Sequence, residues 1–252
     1  MASRSRVPPG GEVLVLLHGF THTGASWEPV RRALGRDGAS LAPDLPGHGA
    51  AAEARPINLR AALARLAAEL PARFTLVGYS MGGRIALQAA LPENLGHRID
   101  RLVLIGASPG LADPAERDAR RTADEALARE MEAGDIGTFA RRWANRAPVL
   151  EGQPPAVRER AHADRLRNSP SGLARALRGL GTGALPSLWE RLGDLAMPVN
   201  LVVGERDRKF QAIAERMAAR LPNARVQVLP GAGHAVHLEV PERVAELLVP
   251  AL

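Results

Sequence analysis

The chain has 252 residues, of which 46% are hydrophobic and 24% are charged, as is usual for a globular protein of one or two domains. It contains no cysteine, which excludes a disulfide framework and a thiolate metal site. The net charge of +6 comes almost entirely from scattered arginines, since Lys209 is the only lysine, and no basic run interleaved with aromatic residues indicates nucleic-acid binding.

Short apolar runs alternate with amphipathic segments along most of the chain. The runs predict strands at residues 12–17, 40–42, 74–79, 101–105, 199–203 and 226–229. Apolar residues at helical spacing predict helices at 27–34, 57–70, 81–90, 212–221 and 241–248, the second with Asn58 as its cap. This alternation indicates an α/β fold with a mostly parallel sheet flanked by crossover helices.

The segment from about 112 to 195 breaks this alternation. It shows no convincing strand, and its helical patterns are interrupted at Gly134, Pro148, Gln153–Pro155 and Pro170. We therefore predict a core of residues 1–111 and 196–252, with residues 112–195 as a helical insertion. Such an insertion commonly lies over a catalytic edge as a lid.

Residues Gly78–Gly83, with the sequence GYSMGG, carry the strongest chemical signal. A G-x-S-x-G motif between a strand and a helix is typical of the nucleophile elbow of the α/β-hydrolase fold. The glycines leave room for a strained turn that projects the serine hydroxyl, and the N-terminus of the next helix favours developing negative charge. The motif predicts that Ser80 is the reactive residue.

A serine hydroxyl needs a base, and the base needs an acid that orients it. In this fold the acid follows the serine along the chain, and the histidine comes last. His234 follows Gly231–Gly233 after the last strand and is preferred to His237. Asp207 follows the preceding strand and is preferred to Glu205.

The oxyanion donors are predicted from their positions beside the serine. The backbone N–H of Met81 directly follows Ser80, and that of Phe20 lies in the loop after the first strand. His18 in that loop, and Asp44 and His48 after the second strand, are expected to hold backbone turns. No dinucleotide loop and no metal-ligand spacing is evident, so we expect no cofactor and no metal.

Four stretches, one of which includes the serine motif, carry a resemblance to a more specific family. They are residues 17–24 (LHGFTHTG) with Ser26-Trp27, 78–84 (GYSMGGR), 179–183 (GLGTG) with 186–189 (PSLW), and 204–210 (GERDRKF). With them, from about Leu14 to Leu247, the chain resembles the 2-succinyl-6-hydroxy-2,4-cyclohexadiene-1-carboxylate synthases of menaquinone biosynthesis. One departure is Ala184-Leu185, where the family pattern often carries Gln in the lid.

The resemblance implies a lyase that expels pyruvate from 2-succinyl-5-enolpyruvyl-6-hydroxy-3-cyclohexene-1-carboxylate, with Ser80 as a base that is not acylated. This substrate carries several carboxylates, and arginine can bind both oxygens of a carboxylate. The predicted substrate-binding residues are Arg84, Arg120, Arg167 and Lys209, with Tyr79 and Trp143 as pocket walls. Arg121 and Arg165 remain alternatives to Arg120 and Arg167.

Two other functions remain open: a serine hydrolase of esters or of C–C bonds in ring-cleavage diketones, and a non-catalytic binding protein. The second is disfavoured because all three triad residues are present. No apolar run approaches the roughly 18 residues of a membrane span, and residues 1–11 lack the apolar core of a signal peptide. We expect a cytoplasmic enzyme that acts on a small polycarboxylate and has no membrane or nucleic-acid partner. The sequence leaves open whether it is a monomer or a homo-oligomer.

Overall fold

A single parallel sheet forms the centre of the molecule. The computed structural model describes residues 13–35, 40–146 and 151–249. Within them six strands lie in the order β2-β1-β3-β4-β5-β6, with every neighbouring pair parallel. The strands are β1 (Leu14–Leu17), β2 (Ser40–Leu41), β3 (Phe74–Tyr79), β4 (Ile99–Ile105), β5 (Val199–Gly204) and β6 (Ala224–Leu229). All six predicted strands are confirmed.

Ten α-helices accompany the sheet in the described part of the chain. They are α1 (Glu28–Ala33), α2 (Leu59–Glu69), α3 (Met81–Ala89), α4 (Pro114–Glu132), α5 (Ile136–Arg146), α6 (Pro155–Arg165), α7 (Pro170–Leu180), α8 (Arg208–Ala218), α9 (Val236–Glu239) and α10 (Pro241–Leu248). None of these helices is long and apolar enough to cross a membrane.

Helices cover both faces of the sheet, because alternate strand residues point to opposite sides. Leu76 of β3 packs in a core with residues of α2, α3 and α8, whereas its neighbour Val77 packs in a second core with residues of α1 and α10. The near-continuous apolar strands of the sequence follow from burial on both faces. The predicted α/β-hydrolase fold is confirmed.

Between β4 and β5 the described part of the chain forms helices and no strand. Pro155 and Pro170 are the first residues of α6 and α7, so they begin helices, where a missing N–H costs nothing. Gly134 lies between α4 and α5. Pro148 lies outside the described residues. The structure thus places four helices, α4 to α7, where the sequence predicted no strand.

Two helix boundaries depend on side-chain caps. Asn58 accepts a hydrogen bond from the N–H of Ala61 at 2.9 Å, which confirms it as the cap of α2. Helix α8 begins at Arg208, four residues before the predicted start, because Asp207 caps it and accepts from the N–H of Phe210. The one-turn helix α9 was not predicted.

Candidate active site

Ser80 lies in the turn between β3 and α3. Its φ of 50° and ψ of −108° are strained for a residue with a Cβ. The turn is held because the N–H of Ser80 donates to the carbonyl of Ile105 and because Gly82 lets α3 approach β1 closely. A Cβ on Gly82 would lie 2.3 Å from the carbonyl oxygen of Leu17, so only glycine fits there. The strained turn points the hydroxyl of Ser80 out of the sheet edge.

The loops after β5 and β6 bring the other two predicted residues to this turn. Nε2 of His234 lies 3.2 Å from Oγ of Ser80, and Nδ1 of His234 lies 2.6 Å from Oδ2 of Asp207. A carboxylate at Nδ1 accepts the proton of that nitrogen, which leaves Nε2 free to accept one from the serine. Three positions far apart in sequence therefore form one hydrogen-bonded chain.

The imidazole of His234 is closely packed. Gly106, with φ of 53°, follows β4, and a Cβ there would lie 2.9 Å from two atoms of the ring. On another side the ring of Phe210 lies 4.5 Å from the ring of His234, centroid to centroid. Because neither neighbour leaves space, the ring orientation is fixed by packing as well as by Asp207.

Glu205 and His237, the alternatives for acid and base, make contacts away from Ser80. Glu205 accepts a hydrogen bond from the N–H of Gly231 at 2.9 Å and braces the loop. His237 is fully buried between Trp27 and Tyr79, and burial holds its pKa well below the ordinary value. Neither side chain is hydrogen-bonded to Ser80 within the described residues.

The predicted oxyanion donors belong to the first residue of α3 and to the loop after β1. Met81 is the first residue of α3, so its N–H has no acceptor inside the helix. Phe20 follows Gly19, which touches the ring of Tyr79 so closely that a Cβ would lie 2.7 Å from it. The loop after β1 therefore lies directly against the serine turn.

His18, Asp44 and His48 hold backbone turns, as expected. Nε2 of His18 accepts from the N–H of Leu45 at 2.9 Å, and its Nδ1 lies 2.9 Å from the carbonyl of Gly19. Asp44 accepts from two backbone N–H groups, and Nδ1 of His48 lies 3.3 Å from the carbonyl of Pro46. Burial lowers the pKa of His18 to about 4, so the ring is neutral.

Arg84 and Arg120 approach each other beside the serine turn. Arg84 lies one turn into α3, and within the described residues its Nε has no hydrogen-bond acceptor. Burial, together with the positive charge of Arg120, lowers the pKa of Arg84 to about 10. Nε of Arg120 donates to Asp124 at 2.7 Å. With two guanidinium groups and one carboxylate, this cluster has a net positive charge suited to an anion.

The structure does not bring Arg167 to the serine turn. Its side chain is 64% exposed and lines a cavity with Thr23, Arg31 and Asp44, which excludes the triad residues. Arg165, which the sequence analysis kept as the alternative, is only 1% exposed. Burial lowers the pKa of Arg165, and its charge acts on Tyr79. Arg165 is the last residue of α6, and Arg167 lies two residues beyond it. One side chain therefore faces the protein interior and the other faces solvent, which the spacing in the sequence did not resolve.

Tyr79 and Lys209 lie near His234, and Trp143 lies against the loop after β1. The ring of Tyr79 is buried 5.3 Å from that of His234. Trp143 of α5 packs against Phe20, with ring centroids 5.5 Å apart. Lys209 lies at the start of α8 and lines a cavity of about 440 Å³ together with Asp207 and His234. Arg121, the alternative to Arg120, pairs with Asp118 on the exposed side of α4.

One anchoring pair escaped the sequence analysis. Asp164 of α6 lies 2.9 Å from Nδ1 of His22 and accepts from both the N–H and the hydroxyl of Thr23. Asn168 adds a hydrogen bond from its Nδ2 to the carbonyl of Thr21. These contacts fasten the insertion to the loop after β1. The polar Asp164 on an otherwise apolar face of α6 was a sequence signal of a buried polar contact. Only the three-dimensional structure shows that its partner lies 141 residues away.

Comparison with known proteins gives one consistent family. The model of the alpha/beta hydrolase family matches residues 14–247. A Bacillus subtilis protein called putative 2-succinyl-6-hydroxy-2,4-cyclohexadiene-1-carboxylate synthase is 37% identical, over 93% of this chain and 88% of its own length. The synthase of that name from Salmonella schwarzengrund is 35% identical, over 97% of this chain and 95% of its own.

A solved structure agrees with these relatives. The structure of MenH from S. aureus superposes with a TM-score of 0.88 at 31% identity, and covers 94% of this chain and 91% of that one. The similarity extends through the helical insertion as well as the sheet, since the aligned share leaves no room for a missing segment of that size. The chain therefore belongs to the alpha/beta hydrolase family and, within it, to the 2-succinyl-6-hydroxy-2,4-cyclohexadiene-1-carboxylate synthases.

Proposed function

We propose that the protein is the lyase that converts 2-succinyl-5-enolpyruvyl-6-hydroxy-3-cyclohexene-1-carboxylate to 2-succinyl-6-hydroxy-2,4-cyclohexadiene-1-carboxylate and pyruvate. The observation that carries this proposal is a hydrogen-bonded Ser80–His234–Asp207 chain beside a cluster of arginines with excess positive charge. The relatives named as synthases of this product support it.

The chemistry follows from the positions of the groups on the ring. The proton at C2 is acidic because the succinyl ketone is attached there, and its removal gives an enolate conjugated with the C3–C4 double bond. The electron pair then moves along the ring, and the C5–O bond to the enolpyruvyl group breaks with its electrons. The leaving group takes up a proton to become pyruvate, so the products are a 2,4-diene and pyruvate.

We assign Ser80 as the base in this elimination. His234 accepts the proton of the Ser80 hydroxyl through Nε2, while Asp207 holds the ring and stabilises its positive charge. The serine oxygen then removes the C2 proton and no acyl group is transferred. The backbone N–H groups of Phe20 and Met81 stabilise the enolate oxygen, a contribution that is usually the largest in such reactions.

The carboxylates of the substrate define what the surrounding cations do. The ring, the succinyl chain and the enolpyruvyl group each bring one carboxylate. Arg84, Arg120 and Arg165 are our candidates for binding them on one side, and Lys209 on the side of His234. Bidentate guanidinium contacts fix orientation as well as charge, which an elimination requires. Tyr79 and Trp143 supply apolar walls.

We further propose that residues 112–195 act as a lid, and that the enzyme works in the cytoplasm. The hydrogen bonds of Asp164 and Asn168 to the loop after β1 support the first point, because they close the insertion over the predicted oxyanion loop. Covering the site excludes water, which strengthens electrostatic interactions within it.

The proposal is tested by supplying the purified protein with the enolpyruvyl precursor. Pyruvate is measured by a coupled lactate dehydrogenase assay, and formation of the diene by its absorbance. We expect equal amounts of both products, and no reaction with Ser80→Ala. If neither product forms while an ester such as p-nitrophenyl acetate gives an acyl-enzyme burst with rapid turnover, the protein is a serine hydrolase, the alternative that the same three residues serve.

A further inference from the structure

Arg206 donates hydrogen bonds to three separate parts of the chain. Its Nη2 donates to Oε2 of Glu239 at 2.6 Å, and its Nε to the carbonyl of Gly231 at 3.2 Å. Its Nη1 donates to the carbonyl of Gly152 at 2.5 Å. The first two partners lie on either side of His234 in sequence, and the third lies in the helical insertion just before α6. A single side chain, which extends from the loop between β5 and α8, therefore contacts the histidine loop (the loop after β6 that bears His234), α9 and the insertion.

Glu239 connects Arg206 to the backbone just before His234. Its side chain is only 2% exposed, and the same oxygen that binds Arg206 also accepts from the N–H of Gly233 at 2.8 Å. Gly233 directly precedes His234. A hydrogen bond between a carboxylate and a backbone N–H is strong and directional, so it fixes the backbone from which the imidazole extends.

The buried carboxylate makes this arrangement depend on Arg206. A carboxylate removed from water is costly unless it is paired and hydrogen-bonded. Within the described residues, Arg206 is the cation that forms an ion pair with Glu239, and Oε1 of Glu239 has no partner. Without Arg206 the carboxylate would be left with one N–H donor, and we expect it to turn toward water and move the histidine loop.

The contact with Gly152 extends the effect to the insertion. Glu151 and Gly152 form one wall of the cavity of about 440 Å³ that Lys209, Asp207 and His234 also line. Because Nη1 of Arg206 binds the Gly152 carbonyl, it sets the distance between this wall and the histidine. The base and the segment that faces it are thus held by the same guanidinium group.

We propose that Arg206 is a positioning residue, which holds the turn bearing His234 through Glu239 and holds the insertion wall opposite it through Gly152. The inference rests on the proposed role of His234 as the base for Ser80. Arg206 touches neither Ser80 nor His234 with its side chain, so its effect is indirect. A displacement of about 1 Å in a catalytic group can cost about 100-fold in rate, so a loosened loop should be visible in kcat.

The test compares Arg206→Ala, Arg206→Lys, Glu239→Gln and the Arg206→Ala/Glu239→Gln pair with Arg191→Ala as the matched control. Arg191 pairs with two carboxylates, where Arg206 pairs with one, and has a similar exposure of 42% against 39%, but it lies at the 3-10 turn before β5. Two readouts are used: kcat and KM for pyruvate release, and the rate at which diisopropyl fluorophosphate modifies Ser80. The second needs no natural substrate and reports how readily the serine reacts when His234 activates it.

We expect Arg206→Ala to lower kcat and the rate of Ser80 modification by about tenfold, with KM changed less than threefold and a melting temperature close to that of Arg191→Ala. Lysine should restore part of the rate, because it pairs with Glu239 but does not reach all three acceptors. Glu239→Gln keeps the shape of the side chain and should lose rate without unfolding. The double variant should be no slower than Arg206→Ala, since both changes act through the same contact between Arg206 and Glu239.

Folded Arg206→Ala with unchanged kcat and unchanged Ser80 modification would overturn the inference, as would fully additive losses in the double variant. The proposed function fails in a different way. In that case the wild-type protein releases no pyruvate, yet Ser80 is still modified, and the modification rates alone then decide the role of Arg206.

Discussion

Oδ2 of Asp207 lies 2.6 Å from Nδ1 of His234, so the acid and the base share a short hydrogen bond although they come from different loops. The other carboxylate oxygen accepts from the N–H of Phe210 and begins α8. Asp207 therefore has two functions at once: it starts a helix and it fixes the tautomer of the histidine. The side chain of its neighbour Glu205 accepts from the N–H of Gly231 instead.

Replacing Asp207 with Asn should abolish most of the elimination. An amide N–H at this position donates to Nδ1, which moves the histidine proton to Nε2 and removes the acceptor for the serine proton. We expect kcat for pyruvate release to fall by about 10³ to 10⁴, as for other triads with the wrong tautomer. Glu205→Gln keeps an oxygen for Gly231 and serves as the control, with a kcat close to that of the wild-type enzyme. Equal losses in the two variants would show that the acid was assigned to the wrong residue.

Arg84→Ala should reduce activity without reducing stability. The guanidinium has no acceptor at Nε within the described residues and is repelled by Arg120, so its removal should leave the free energy of unfolding equal or higher. Losing a buried partner of a substrate carboxylate should weaken kcat/KM by about 2–4 kcal/mol. Denaturant unfolding and pyruvate kinetics measure the two effects. The exposed Arg121→Ala is the control, and a destabilised Arg84→Ala protein would contradict the idea of a preformed anion site.

The sheet and the contacts among Ser80, His234 and Asp207 could be predicted from sequence because local patterns determine them. Apolar runs such as Phe74–Tyr79 mark buried strands, and the glycines around Ser80 mark the one turn that tolerates its backbone. The order of serine, acid and histidine then follows from the topology, since parallel strands present their carboxyl ends at one edge. The loop glycines before His234 completed the prediction.

Contacts between distant segments could not be predicted in this way. The choice between Arg165 and Arg167 depends on the phase of the last turn of α6, and a two-residue error reverses which side chain faces inward. The binding of Asp164 to Thr23 and that of Arg206 to Glu239 each join a helix to a loop, and only the packed structure defines their relative position. Polar residues in loops give no periodic signal from which such pairs could be inferred.

Arg165 and Arg167 should differ in their effect on catalysis. Arg165 is 1% exposed beside Tyr79, whereas the Arg167 side chain is 64% exposed and lines a different cavity. We expect Arg165→Ala to raise KM for the precursor by about tenfold or more, because a carboxylate of the substrate loses a buried cationic partner. Arg167→Ala, two residues away, should change KM less than twofold. The original prediction from sequence would be restored if the larger effect came from Arg167.

The stability of the protein should fall as the pH is lowered below about 6.5, because burial holds the pKa values of several histidines below the ordinary value. Burial lowers the pKa of His18 from 6.5 to about 4 and also lowers the pKa values of His22, His48 and His237. Between pH 6.5 and about 4 the unfolded chain binds a proton at His18 that the folded chain does not. The free energy of unfolding therefore decreases with falling pH in this window, and the stability contributed by the neutral ring is fully present only above it.

At pH 5.5 the contribution lost through His18 alone should be about 1.4 kcal/mol, one pH unit below the pKa of the unfolded residue. Urea unfolding of the wild-type protein and of His18→Gln at pH 7.5 and 5.5 isolates this share, because the difference between the two pH values cancels the cost of the substitution itself. The variant should lose about 1.4 kcal/mol less than the wild type on acidification, while His97→Gln, at an exposed position, should lose as much as the wild type. Equal pH dependence in His18→Gln and the wild type would mean that the His18 ring takes up a proton in the folded protein, and the hydrogen bond from the N–H of Leu45 to its Nε2 could not persist.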